Sequence, residues 1–187
     1  IIKATIDESH ANGLKVAVHA TEYETAKLAV ENGADILVHS IDDREVDKEM
    51  LELLKSKKTV YIPTAIVAQN YNRTFSQQLN YSQYDLKIGD PFMIGTIMDI
   101  QHIEKSKMPF DYTKMKSRFP VPSKDDSTIL TNLKIVQQSG VLVAAGTDAG
   151  NIGTQHASSY FAELLAMSQA GLSNWEVLKS ATINVAK

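Results

Sequence analysis

Short apolar runs that end in histidine, alternating with helical segments, constrain this chain more than any other feature. Leu14-Lys15-Val16-Ala17-Val18-His19 is one such run and Ile36-Leu37-Val38-His39 another; Thr59-Val60-Tyr61-Ile62-Pro63 is a third run, closed by proline. Their length and β-branched content predict strands, and Pro63 cannot donate to a sheet ladder. Helical spacing fills the gaps. Ile2, Ile6 and Ser9-His10 precede an Asn12-Gly13 stop, and Thr21 with Glu24 forms a capping-box pattern ahead of Ala26, Ala29 and Val30. Residues 47–56 carry Met50, Leu51 and Leu54 on one face. Strands and helices alternating through short connections predict a parallel sheet buried on both faces.

Between residues 65 and 126 the pattern breaks, and the stretch is polar, aromatic and rich in methionine. A connection of that length is expected to be functional or to hold its own helices. It reads as a lid-like insertion with helical pieces at 75–82 and 91–107, where Met93, Met98 and Met108 pack the helices. Pro109, Pro120 and Pro122 mark irregular chain. Order resumes with a helix over 127–138, its apolar side carrying Ile129, Leu133 and Val136, and a strand over 141–145. The strand runs into Gly146-Thr147-Asp148-Ala149-Gly150; a helix over 156–169 comes next, and Ser173 with Glu176 caps a terminal one. Both ends read as the inside of helices, so the expectation is one domain over 1–187 that continues in a longer protein.

The 187 residues are enough for one sizeable domain, and 43% hydrophobic with 22% charged residues is ordinary for a globular protein. A formal charge of -3 gives no electrostatic reason to expect nucleic acid or an anionic membrane as partner. No run approaches the roughly 18 apolar residues of a membrane span. The lack of cysteine excludes disulfides and thiolate metal sites but leaves the compartment open, cytoplasmic or exported.

His19 and His39 end consecutive strands, and Asp148 ends a later one inside a glycine-rich turn. In a parallel barrel the C-terminal strand ends converge on the active-site face. Two neutral imidazoles and a carboxylate there suit zinc with a place left for water, and the glycines beside Asp148 remove side chains that would crowd it. Taken singly, a strand-end histidine reads as a hydrogen-bonded structural residue, and an Asp in such a turn as a turn former. Recurrence at equivalent positions favours the site. His10 reads as structural and His102 as a surface residue. Tyr61, Tyr71 and Arg73 lie at or after the third strand, where a loop could reach the site; Arg73 reads as a solvated loop arginine.

Val18-His19-Ala20, then Asn32-Gly33-Ala34-Asp35-Ile36-Leu37-Val38-His39-Ser40, resembles the fifth and sixth strands of the amidohydrolase superfamily. Gly146-Thr147-Asp148-Ala149-Gly150, with His156, Glu163-Leu164 and Ala170-Gly171-Leu172-Ser173, resembles the eighth strand and its succeeding helices. Ala181-Thr182-Ile183-Asn184-Val185-Ala186-Lys187 is similar to the helix leading out of that barrel, and the nearest likeness is to imidazolonepropionase-like and prolidase-like members. The resemblance implies an α/β fold, a partial TIM (β/α)8 barrel of the last four β/α units with a helical insertion. It implies a hydrolase of amide or cyclic-amide bonds in small molecules, dependent on divalent metal, zinc first, with one or two ions in the full-length enzyme. His19 would ligate metal, and His39 would ligate a second metal or polarise the substrate carbonyl. Asp148 would bind metal and take the proton from the attacking water. His156 and Glu163 would brace the Asp148 loop or touch substrate.

The chain departs from that family in having no His-x-His pair and no strand-borne lysine, since Lys3 lies on the first helix. A rival reading is therefore an inactive half-barrel that self-associates and binds no metal. The partner is then a second copy, or the missing N-terminal half. A barrel lyase or aldolase ranks last, for want of a strand-end lysine and a phosphate loop.

Overall fold

The computed structural model describes residues 1–108, 111–118 and 127–186. Pro109, Pro120 and Pro122, the expected irregular points, lie outside the described residues. Two compact units emerge: Ile1–Ala65 with Ser127–Gly146 and Leu164–Lys187, and Ile66–Asp126 with Thr147–Glu163.

The first unit opens with α1 (Ile2–Ala11), β1 (Ala17–His19), α2 (Tyr23–Glu31), β2 (Ile36–Val38), α3 (Lys48–Lys57) and β3 (Val60–Ile62). The three strands form a parallel sheet in the order β1-β2-β3, with Ala17 opposite Ile36 and Ile36 opposite Val60. Ile6 of α1 packs against Ala29 and Ala34, covered further by Ile2, Val16 and Val18. The chemistry is mixed α/β, as the apolar alternation predicts. The strands are shorter than their apolar runs because only the residues beside a neighbour join the ladder. Residues 141–145 meet the sheet through one parallel bridge, Tyr61 to Val143, rather than as the expected full strand. Tyr61 N–H donates to the Leu142 carbonyl, and Ala144 N–H donates back to Tyr61.

The caps differ from expectation in one instructive place. Thr21 and Glu24 do not form a capping box, and α2 has no side-chain cap from its N-cap residue Glu22. Asp43 accepts from Tyr23 N–H at 2.9 Å instead, so the cap arrives from a distant loop. The Ser173–Glu176 box does form and opens α10 (Asn174–Ser180). That helix ends at Ser180 and residues 181–186 are turns, not the helix their resemblance implied.

In the second unit α4 spans Ile66–Ser76, α5 Gln83–Ile88, α6 Pro91–Met98 and α7 Tyr112–Arg118, with short 3-10 turns at Ile100–His102 and Lys105–Lys107. The expected helix at 75–82 is displaced: α4 starts earlier, burying Ile66, Thr74 and Phe75, and the chain from 77 to 82 is irregular. Arg73 is therefore an exposed helical residue, reaching Gln69, rather than a loop arginine. Of the three methionines expected to pack these helices, Met93 and Met98 are about half exposed and Met108 is partly buried. α8 (Ser127–Gln138) belongs to the first unit, and α9 (Ser158–Gln169) runs from the second unit into the first. Among the described residues no helix is long and apolar enough to cross a membrane.

Candidate active site

The first unit brings His19 and His39 together. Their rings meet edge to face with centroids 4.4 Å apart, although the ladder pairs His19 with Val38 and His39 lies one residue past the end of β2. His19 is exposed and His39 buried. His39 takes a left-handed backbone, φ +79°, immediately beyond β2, a conformation that costs a non-glycine residue energy.

Several long-range contacts hold it there. Thr64, itself at φ +43°, places its hydroxyl 2.5 Å from His39 Nδ1, which fixes the rotation of the ring. His39 N–H donates to the Ile62 carbonyl and Ser40 N–H to Pro63. The next turn is pinned by Tyr61, whose side chain is fully buried. Its hydroxyl lies 2.6 Å from Ser40 Oγ and accepts from Ile41 N–H at 3.2 Å. Burial pushes the Tyr61 pKa up to about 12, so the phenol stays protonated. Asn132 of α8, also buried, donates to the carbonyls of Ile41 and Arg44 and accepts from Val46 N–H. Tyr61 thus acts beneath the site instead of on a loop reaching into it.

Asp148 lies in the second unit, also left-handed at φ +50°. Its carboxylate accepts from the Asn151 side-chain amide, and Asn151 Oδ1 accepts from the Tyr71 hydroxyl at 2.6 Å. The chain Tyr71–Asn151–Asp148 orients the carboxylate. Of the glycines beside it, Gly146 is required by packing: a Cβ there would lie 2.6 Å from Ile62 Cγ2. Gly150 is required by its backbone, φ +109°. Neither reason involves crowding of a ligand.

His156 is exposed, and its Nε2 would stand 3.8 Å from a Cβ at Gly150, so it lies beside the Asp148 turn. Glu163 is buried and accepts from Ile66 N–H at 3.1 Å, at the first turn of α4. His10 pairs with Asp35 at 2.8 Å, and His102 sits exposed in a 3-10 turn. Sequence reasoning misses Thr64, Asn132 and Asn151. Only Asn151 carries a local signal, an Asn three residues after Asp in a glycine-rich turn.

Two adjacent imidazoles, one oriented by a hydroxyl at its Nδ1, fit a divalent cation as two of its ligands. Among the described residues no group of three or more His, Asp or Glu side chains gathers as a complete cage.

No family model matches the sequence, and no curated protein matches it. Solved structures do. A Xaa-Pro dipeptidase with methionine bound in its active site is 23% identical, with a TM-score of 0.63, over 99% of this chain and 36% of that one. The ochratoxinase of A. niger is 19% identical, TM-score 0.57, over 98% and 32%. A bottromycin amidohydrolase is 17% identical, TM-score 0.57, over 97% and 42%. The chain therefore spans about a third of the length of the structures it matches, and its fold is the one found in that part of prolidase and amidohydrolase structures.

Proposed function

We propose that this chain is the C-terminal part of a metal-dependent amidohydrolase barrel, its strands the last four β/α units and residues 65–126 a helical insertion. The reaction is hydrolysis of an amide or cyclic-amide C–N bond in a small molecule. The observation that carries this reading is the contact between His19, at the end of β1, and His39, just past β2, with His39 held in a strained backbone. The fold likeness to prolidase and amidohydrolase structures supports the reaction class.

His19 would ligate a divalent ion, zinc first, Asp148 would be a further metal ligand, and His39 would ligate a second ion where two are bound. The ion, when bound, supplies Lewis acidity and a lowered pKa for the attacking water. Asp148, oriented by Asn151, takes the proton from that water as general base. His39, its ring turned by Thr64, faces the substrate carbonyl if a single ion is bound.

Zinc uptake and hydrolysis test the two halves of this reading. The purified protein is expected to take up stoichiometric zinc by elemental analysis and to lose it on His19→Ala. Asp148→Asn is expected to abolish hydrolysis while keeping the fold; full activity in that variant overturns the base assignment. A second reading is an inert half-barrel that associates with a copy of itself. It is supported by β1, whose residues Ala17 and His19 are exposed. Zinc-free protein that self-associates would decide for it.

A further inference from the structure

The corner between α5 and α6 lies against the loop that leaves Asp148. Gly89 makes that approach possible, since a Cβ there would stand 2.5 Å from Gln155 Oε1. Between corner and loop the second unit holds an open cleft of about 460 Å³, walled by Ile88, Met93, Ile97 and Ala157 together with Asn151 and His156. That volume is within the range of small-molecule sites. Met93 and Ile97 stand four residues apart on α6, hence on one face of it.

The polar lining is mostly committed elsewhere. Asp90 Oδ1 accepts from Phe92 N–H at 2.8 Å and caps α6. Thr154 and Gln155 are buried, and Thr154 Oγ1 accepts from the Asn70 amide at 3.1 Å. Asn151 is held at both ends, by Asp148 and by Tyr71. Ile88 and Met93, by contrast, are 44% and 48% exposed. What the cleft offers a ligand is therefore chiefly hydrocarbon, and a methionine in its wall adapts to more than one shape. Its position matters as much as its lining. Asn151 both walls the cleft and donates to the Asp148 carboxylate, so a group seated there is one side chain away from that carboxylate.

We propose that the cleft is the specificity pocket of the Asp148 site, taking a bulky, neutral, apolar substituent of the amide to be hydrolysed, on the scale of a bicyclic ring. This rests on the hydrolase reading and names its substrate class. Two neutral amides that differ only in that substituent test it, N-acetyl-2-naphthylalaninamide and N-acetylalaninamide. Each is titrated calorimetrically into the full chain, in metal-free buffer with chelator, so that binding is read without turnover.

The naphthyl amide is expected to bind at least about tenfold more tightly, because the cleft removes its ring from water, and to shift the Met93 methyl resonance. Met93→Glu, at a half-exposed helical position, is expected to bring the affinity ratio down to about one while leaving zinc uptake unchanged. Equal affinity for the two amides, no shift at Met93, or an unchanged ratio in Met93→Glu would each overturn the proposal. The comparison of the two amides uses the unaltered protein, so it holds even if the variant fails to fold. Failure of the hydrolase reading looks different: no zinc uptake and no turnover of either amide, with the binding preference intact.

Discussion

Asp35 fastens the first helix to the sheet. Its Oδ2 accepts from Val16 N–H at 2.7 Å and lies 2.8 Å from His10 Nε2. Burial pushes its pKa up, but the Val16 bond, His10 and Lys15 together outweigh that and hold it below the usual carboxylate range. A depressed carboxylate stabilises the fold above its unfolded pKa, near 3.9, and that contribution is lost as pH falls through the folded value. His10→Ala is expected to raise the Asp35 pKa, measurable by carbon-detected carboxyl titration. At Tyr61 the buried hydroxyl serves Ser40 and Ile41, so Tyr61→Phe orphans the Ile41 N–H, leaves Ser40 Oγ only its bond to the Ile129 carbonyl, and is expected to cost about 1–2 kcal/mol in urea unfolding. The histidine pair is legible in the sequence because equivalent strand ends repeat. Its supports are not, because Thr64 and Asn132 reach the site from far along the chain.

Helices follow their local code more closely than strands do. The boundaries of α8 agree with its apolar spacing, and the Ser173–Glu176 box forms as its residues predict. The local pattern misplaces α4 because its buried positions, Ile66, Thr74 and Phe75, are interrupted by a polar run from Gln69 to Asn72 that dilutes the helical period. The apolar runs mark the three strands but overstate their length, since a ladder is defined by neighbours that no local pattern encodes. One helix end carries a correctable strain. Lys58 comes after α3 in the left-handed region, φ +57° and ψ +30°, where glycine is favoured. Lys58→Gly is expected to stabilise the protein by about 1 kcal/mol, read as a raised urea midpoint.

Among the described residues β1 pairs with β2 alone, and the chain leading into it leaves Leu14 62% exposed. An open strand edge invites another strand. Light scattering is expected to show association that grows with protein concentration, and Ala17→Lys is expected to suppress it; monomeric behaviour at all concentrations would refute this. The first unit is also built from three separated stretches of chain, and its last parallel contact, Tyr61 to Val143, closes over the stretch 66–126. Loop-closure entropy rises only logarithmically, with each doubling of a flexible loop costing about 0.6 kcal/mol. A stretch of this length between paired residues can therefore lengthen or shorten with little effect on equilibrium stability. Its signature lies in kinetics: β1, β2 and β3 come from contiguous chain and can pair early, while the Val143 contact waits for the chain to return.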